Sequence, residues 1–198
     1  MGTLSLLGAV TGVALFAGIR LYATVLTVGL CLRYGLLSLP PELSRLEVLS
    51  HPYVLAAAGV CAAAEFLADK IPWVDSLWDA VHTFVRPAGA ALIAFAAVGR
   101  LDPAAEVAVV LLCGTIAFSS HAAKSGARLA VNQSPEPFSN VVLSLVEDAL
   151  AVGGSYSAIA YPLVVLGVVA VFLLLFLLLA RRIFRRFRKK APPAPGLH

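Results

Sequence analysis

Apolar residues in this chain come in long blocks, and the few polar positions inside them recur at helical rather than strand spacing. The clearest block, Pro162–Ala180, is followed at once by RRIFRRFRKK. About 20 apolar residues rising 1.5 Å each cross a hydrocarbon core of about 30 Å, so this block predicts a membrane-spanning helix. Further apolar stretches run from Pro52 to about Lys70, from Pro103 towards Arg128, and from Phe138 to Tyr161, the last interrupted by Gly153, Gly154, Ser155, Tyr156 and Ser157. Two segments do not fit one crossing. Leu4–Leu36 is too long for an upright helix and predicts either a strong tilt or a break near Gly18-Ile19-Arg20. Pro87–Gly99 is too short and predicts local thinning, tilt or a re-entrant path. Between them, Pro72–Arg86 reads as a short amphipathic helix closed by Pro87. It carries Asp75, Asp79, His82 and Arg86 on one face, which is expected near the membrane surface opposite the C-terminal end. The predicted fold class is therefore an all-α polytopic membrane protein with about five or six membrane segments, some broken or re-entrant.

Composition supports this class. The 198 residues are 60% hydrophobic and 13% charged, against about 25% charged in soluble domains. That excludes an ordinary soluble enzyme and a disordered chain. Seven of the 15 Lys and Arg residues fall at Arg181, Arg182, Arg185, Arg186, Arg188, Lys189 and Lys190, and without them the formal net charge turns from +4 to −3. The basic character belongs to one end, which the positive-inside rule places in the cytoplasm. The chain divides accordingly into a single transmembrane domain, residues 1–180, and a basic cytoplasmic tail, residues 181–198. Such a tail suits anionic lipid headgroups, and no nucleic-acid partner is expected. Cys31, Cys61 and Cys113 lie in apolar runs without CxxC spacing and read as small buried hydrophobes. The apolar N-terminus has no preceding Lys or Arg, so it reads as a retained segment rather than a secretory signal.

An internal match suggests two inverted repeats, with halves at about residues 1–100 and 103–183. Gly18-Ile19-Arg20-Leu21 returns as Gly126-Ala127-Arg128-Leu129, and a helix-opening proline follows each arginine after 32 residues (Pro52) and 34 residues (Pro162). The first proline-led span ends in acidic sequence and the second in the basic tail, as spans of opposite orientation would.

Charges inside membrane segments are costly and mark functional sites by default. Arg20 separates two charge-free apolar stretches, and Glu65 and Asp69 share a face at the end of the next span. His121, Lys124, Arg128 and Asn132 form a stripe at i, i+3, i+7 and i+11, and Glu147 and Asp148 interrupt another apolar run. The plainest account is salt bridges between packed helices, Arg20 with Glu65 or Asp148 and Arg128 with Glu147. The number of acidic and basic clusters exceeds what packing requires.

The residues now assembled resemble the membrane proteins grouped as domain of unknown function 4126. The resemblance lies in Gly18-Ile19-Arg20-Leu21-Tyr22, in Glu65-Phe66 with Ala68 to Ser76, in Trp78-Asp79 with Val81 to Pro87, and in Ser134 to Asn140 through Glu147-Asp148. It covers almost the whole chain up to the basic tail and implies a polytopic bacterial inner-membrane protein. It implies no established activity.

Three function classes follow from the residues. In the first, a secondary transporter or lipid flippase, Arg20, Arg128, Lys124 and Asn132 bind an anionic small molecule or a lipid phosphate. Glu65, Asp69, Glu147 and Asp148 then carry coupling protons, since buried carboxylates and histidine exchange protons in the working range. The second is a membrane enzyme acting on a lipid phosphate, with a metal on Asp75, Asp79 and His82; no HExxH, GxSxG or P-loop sequence supports it. The third is a structural or channel subunit, with the charges holding helices together. The first is preferred, with no cofactor, membrane lipids as partners and a homo-oligomer as an expected assembly.

Overall fold

A computed structural model describes residues 2–98, 101–131 and 137–190. Among the described residues seven α-helices follow one another: α1 (Thr3–Ile19), α2 (Leu21–Arg33), α3 (Pro52–Ala68), α4 (Pro72–Val98), α5 (Pro103–Val131), α6 (Pro137–Ala160) and α7 (Pro162–Lys190). A 3₁₀ segment, Pro41–Ser50, joins α2 to α3. Five helices open on proline, whose fixed φ suits the first turn and whose missing N–H is not needed there. Within α4 to α7, four stretches are long and apolar enough to cross a membrane: Trp73–Val98, Pro103–Val131, Val141–Ala160 and Pro162–Arg186. The 3₁₀ segment and α3, bent by 66°, form a fifth candidate span.

Helix α1 is the axis of the bundle. Its side chains are buried all round, from Leu6 to Gly18, against α4, α5, α6 and α7. Glycines permit this close packing, as is usual between helices in a membrane. A Cβ at Gly18 would collide with the Ala117 carbonyl of α5, and one at Gly8 with the Pro162 carbonyl of α7. Gly18→Ala is expected to destabilise the protein by about 1–3 kcal/mol through overpacking. In contrast, Gly153→Ala meets no atom within 4 Å and should gain up to about 1 kcal/mol of helix propensity. Thermal unfolding of both variants in detergent checks the pair. A Gly18→Ala protein as stable as the parent would show that α1 and α5 are not in tight contact.

The predicted break at Arg20 is present, and the chain reverses there. Arg20 is extended (φ −147°, ψ 93°). Its N–H donates to the Phe16 carbonyl at 2.9 Å to close α1, and its carbonyl accepts from Thr24 N–H at 3.0 Å to open α2. Along α1, Gly8 lies at Pro162, Gly12 at Ala158 and Phe16 at Gly154, so α1 runs opposite to α6. Along α2, Thr24 accepts a hydrogen bond from Ser155 of α6 at 3.1 Å, Leu26 lies near Gly59 and Gly29 near Leu55, so α2 returns antiparallel to α3. Helices α1 and α2 thus form a helical hairpin with Arg20 at its tip.

Three sequence expectations are corrected. Pro72–Arg86 and Pro87–Gly99 are not separate elements, because α4 continues through Pro87 to Val98. The proline removes one helical hydrogen bond, to the Thr83 carbonyl, which a helix held on several sides tolerates. The stripe Asp75, Asp79, His82 and Arg86 does share one face, but that face is buried. It also lies towards the same end as the basic run: Asp75 bonds Arg128 near the end of α5, and the preceding α5 residues Ala122 to Ala127 lie beside Phe176 to Phe184 of α7. Finally, Glu65 pairs with Arg86, whereas Asp69, one turn on, reaches Arg128 nearer the basic end. Helices α3 and α7 therefore run the same way, not inverted. Nor are the two arginines equivalent, since Arg20 sits at a break and Arg128 within the continuous α5.

Candidate functional site: a buried ion network

Helical spacing, together with the reversal at Arg20, brings charges from four helices, α3 to α6, and from the α1–α2 break into one cluster beyond the end of α1. Arg20 is buried and pairs with Asp69 of α3; its Nε lies 2.9 Å from Asp148 Oδ1 and its Nη2 lies 3.5 Å from Glu147 Oε2, both on α6. The same Nη2 donates to Ser144 Oγ at 2.9 Å. Arg128 holds Glu147 with a two-point fork, Nε to Oε1 at 3.0 Å and Nη2 to Oε2 at 2.6 Å. Its Nη1 donates to Asp75 Oδ1 at 2.8 Å, and Nη2 lies 3.0 Å from Asp69 Oδ2. The two guanidiniums therefore share two carboxylate oxygens, Asp69 Oδ2 and Glu147 Oε2.

A second node adjoins the first. Arg86 Nη2 donates to Glu65 Oε1 at 2.5 Å and Nη1 to Asp79 Oδ1 at 3.3 Å. Nη1 is also 2.5 Å from His121 Nδ1. Because a guanidinium only donates, Nδ1 is the acceptor and the His121 proton sits on Nε2, which faces Thr83 Oγ1 at 3.1 Å and the Asp79 carbonyl at 3.2 Å. Ser125 Oγ donates to Asp79 Oδ2 at 2.9 Å. Lys124 lies between the nodes, with Nζ 3.5 Å from Glu147, 3.8 Å from Asp79 and 3.9 Å from Glu65. Its ammonium is buried and makes no hydrogen bond among the described residues.

Four cations, Arg20, Arg86, Lys124 and Arg128, face six carboxylates, Glu65, Asp69, Asp75, Asp79, Glu147 and Asp148. With both histidines neutral the formal charge is −2, carried inside an apolar bundle. Fields are strong there and water is scarce, so each unmatched charge is costly.

The sequence-predicted residues converge, with changes of partner. Arg20 meets Asp148 and Arg128 meets Glu147 as expected, but Glu65 belongs to Arg86 rather than to Arg20. Asn132 lies outside the described residues. Asp75 and Asp79 are held by Arg128 and by Arg86 with Ser125. His82 stands apart from them: Nδ1–H donates to the Trp78 carbonyl at 2.8 Å, Nε2 accepts from Tyr22 O–H at 3.2 Å, and the ring stacks on Trp78. Among the described residues no group of three or more His, Cys, Asp or Glu is arranged to hold a metal ion. Sequence reasoning missed Ser144, Ser125 and Tyr22. Ser144 was discoverable, lying three residues before Glu147 and so on the same helix face.

Beside the network, between α4 and α5, is a cavity of about 200 Å³. Asp75, Asp79 and Arg128 form its inner wall, and the exposed residues Ser76, Ala80 and Leu129 its outer rim.

Apolar spanning helices wrapped around a buried ion cluster define a polytopic α-helical membrane protein. The chain belongs to the family described as Domain of unknown function (DUF4126), whose model matches residues 7–182. No curated protein and no solved structure matches the chain.

Proposed function

We propose that the protein is a proton-coupled secondary transporter of an anionic group, with Arg20 and Arg128 as the anion-holding pair and their shared carboxylates as the proton sites. One observation carries the reading: both guanidiniums are held by Asp69 Oδ2 and Glu147 Oε2 in a cluster where carboxylates outnumber cations six to four. Protonating Asp69 and Glu147 would bring the cluster from −2 to neutral and loosen its hold on both forks. An arginine fork matches carboxylate and phosphate alike, so an anion then takes the place of the protein's own carboxylates. Anion and protons would enter and leave together. Arg20 at the break between α1 and α2 resembles the substrate-holding groups of broken-helix transporters, which supports the reading.

Reconstituted liposomes with an entrapped pH dye test this. An inward gradient of inorganic phosphate should acidify the lumen at a rate that rises as external pH falls, and reversing the gradient should reverse the proton flow. No phosphate-dependent proton movement in either direction would leave the network as structural bridging and defeat the proposal.

The basic end of α7 belongs in the cytoplasm of a bacterial inner membrane on this reading, because seven basic residues follow the last span within ten positions. A cysteine placed after Lys190 should react with a membrane-impermeant maleimide only after the cells are opened. Labelling in intact spheroplasts would reverse the assignment.

A further inference from the structure

The cavity between α4 and α5 bears on what kind of anion reaches Arg128. Its inner wall is nearly inaccessible, with Asp75 3%, Asp79 8% and Arg128 2% exposed, while Leu129 on its rim is 63% exposed. The cavity therefore joins the network to the flank of the bundle. Of its rim residues, Ala80 of α4 and Leu129 of α5 are exposed and apolar, and such groups in a bilayer face acyl chains. Both helices belong to the long apolar spans, and the cavity lies near the end of each, at residues 75–83 and 125–129, so the rim opens on the flank close to one end of the bundle. Solutes that arrive through such an opening come from the lipid.

We infer that the transported anion is the phosphate headgroup of a lipid, which enters this lateral cavity from the leaflet while its chains stay outside along Ala80 and Leu129. This rests on the proposed transport function and names its substrate class. The volume, about 200 Å³, takes a phosphate with a few waters but no acyl chain, since each water's share of liquid is about 30 Å³. The hydroxyls of Thr83 and Ser125 on the cavity wall already donate to Asp79, one to its carbonyl and one to its carboxylate, each at 2.9 Å, which leaves Arg128 as the group that meets the phosphate. Arg128 supplies the charge: it lines the cavity and is one of the paired arginines. Asp75, which lines the same cavity, accepts from Arg128 Nη1 at 2.8 Å. Its side chain must yield the Nη1 donor for the phosphate to bind.

Ala80 gives the test, because it lines the rim, is exposed, and takes no part in the ion network. Vesicles containing the full-length protein are loaded with phosphatidic acid bearing a fluorophore on one acyl chain, and its movement between leaflets is followed by surface quenching. Parallel vesicles are given only inorganic phosphate. The parent protein should move the labelled phosphatidic acid, and Ala80→Trp, which fills the mouth, should slow it by about tenfold, a change of about 1.4 kcal/mol. Ala80→Ser should move it at the parental rate. Size-exclusion profiles and unfolding temperatures of all three should coincide. If inorganic phosphate moves with protons and phosphatidic acid does not move, the lateral route is wrong and the transport reading survives. If neither moves in the parent, both fail. If Ala80→Trp is folded and flips the lipid at the parental rate, or if it changes the oligomeric state, the cavity is not a lipid portal and the inference is overturned.

Discussion

Replacing Arg128 by alanine should cost about 3–5 kcal/mol of stability, the expected effect of removing one member of a buried ionic network. Arg128 satisfies three carboxylates at once: Glu147 through two hydrogen bonds, Asp75 at 2.8 Å and Asp69 at 3.0 Å. Without it, the cluster's formal charge falls from −2 to −3 and Asp75 loses its only charged hydrogen-bond donor among the described residues. Arg128→Lys should recover only part of the loss, because a point-like ammonium cannot hold both oxygens of Glu147 and reach Asp75 as well. A double-mutant cycle with Glu147→Gln identifies the cause. The cost of Arg128→Ala should shrink by more than 1 kcal/mol when Glu147 is already neutral, since neighbours in one network are not additive (coupling of about 0.5–3 kcal/mol). Equal costs in both backgrounds would mean that Arg128 contributes by packing rather than by charge.

What was legible in the sequence follows from how local each signal is. Arg20 between two charge-free apolar stretches had to mark a break or a buried site, and it marks both. The stripes at helical spacing on α4 and α5 are one-helix properties: Asp75, Asp79, His82 and Arg86 share a face of α4, and His121, Lys124 and Arg128 a face of α5. Much of the ion cluster was likewise legible, since charges in an apolar bundle must find one another, but Asp75, Asp79 and Arg86, expected at the membrane surface, belong to it as well. Pairing and depth were not. Which carboxylate meets Arg20 depends on the direction in which α2 leaves it, and that is fixed by contacts such as Thr24 with Ser155, 131 residues apart. The reversal carries α3 past the tip, so that Asp69 meets Arg20 while Glu65, one turn earlier, meets Arg86. Pro87 misled because its usual effect, ending a helix, is overridden where neighbouring helices hold both halves of α4 in line. The apparent inverted repeat failed for a related reason. Its charge asymmetry came from acidic residues that turn inward to meet arginines, not outward to an opposite aqueous face.

The second large effect concerns coupling. Asp69→Asn fixes in place an uncharged side chain of nearly the same shape, like the protonated acid, between Arg20 and Arg128. It removes one proton site and one competitor for both forks. Anion binding should persist, because the two guanidiniums remain and the cluster's formal charge rises from −2 to −1. Protons should no longer be needed at this position. The transport rate should lose about one power of its dependence on proton concentration, roughly tenfold per pH unit for a one-proton step. Asp148, one-third exposed and bonded through the other side of Arg20, does not share both arginines. Asp148→Asn should therefore leave the coupling largely intact and serves as the control.

The most direct measurement is the ratio of protons to anion moved by the protein in sealed vesicles, taken side by side for the parent and Asp69→Asn. Labelled inorganic phosphate and an entrapped pH dye report the two fluxes, and labelled phosphatidic acid replaces phosphate where the lipid is the cargo. The parent should move protons with the anion in a fixed ratio, and Asp69→Asn should continue to move the anion with at least one proton fewer per turnover. A folded Asp69→Asn protein that keeps the parental ratio would contradict the shared carboxylate as the coupling site.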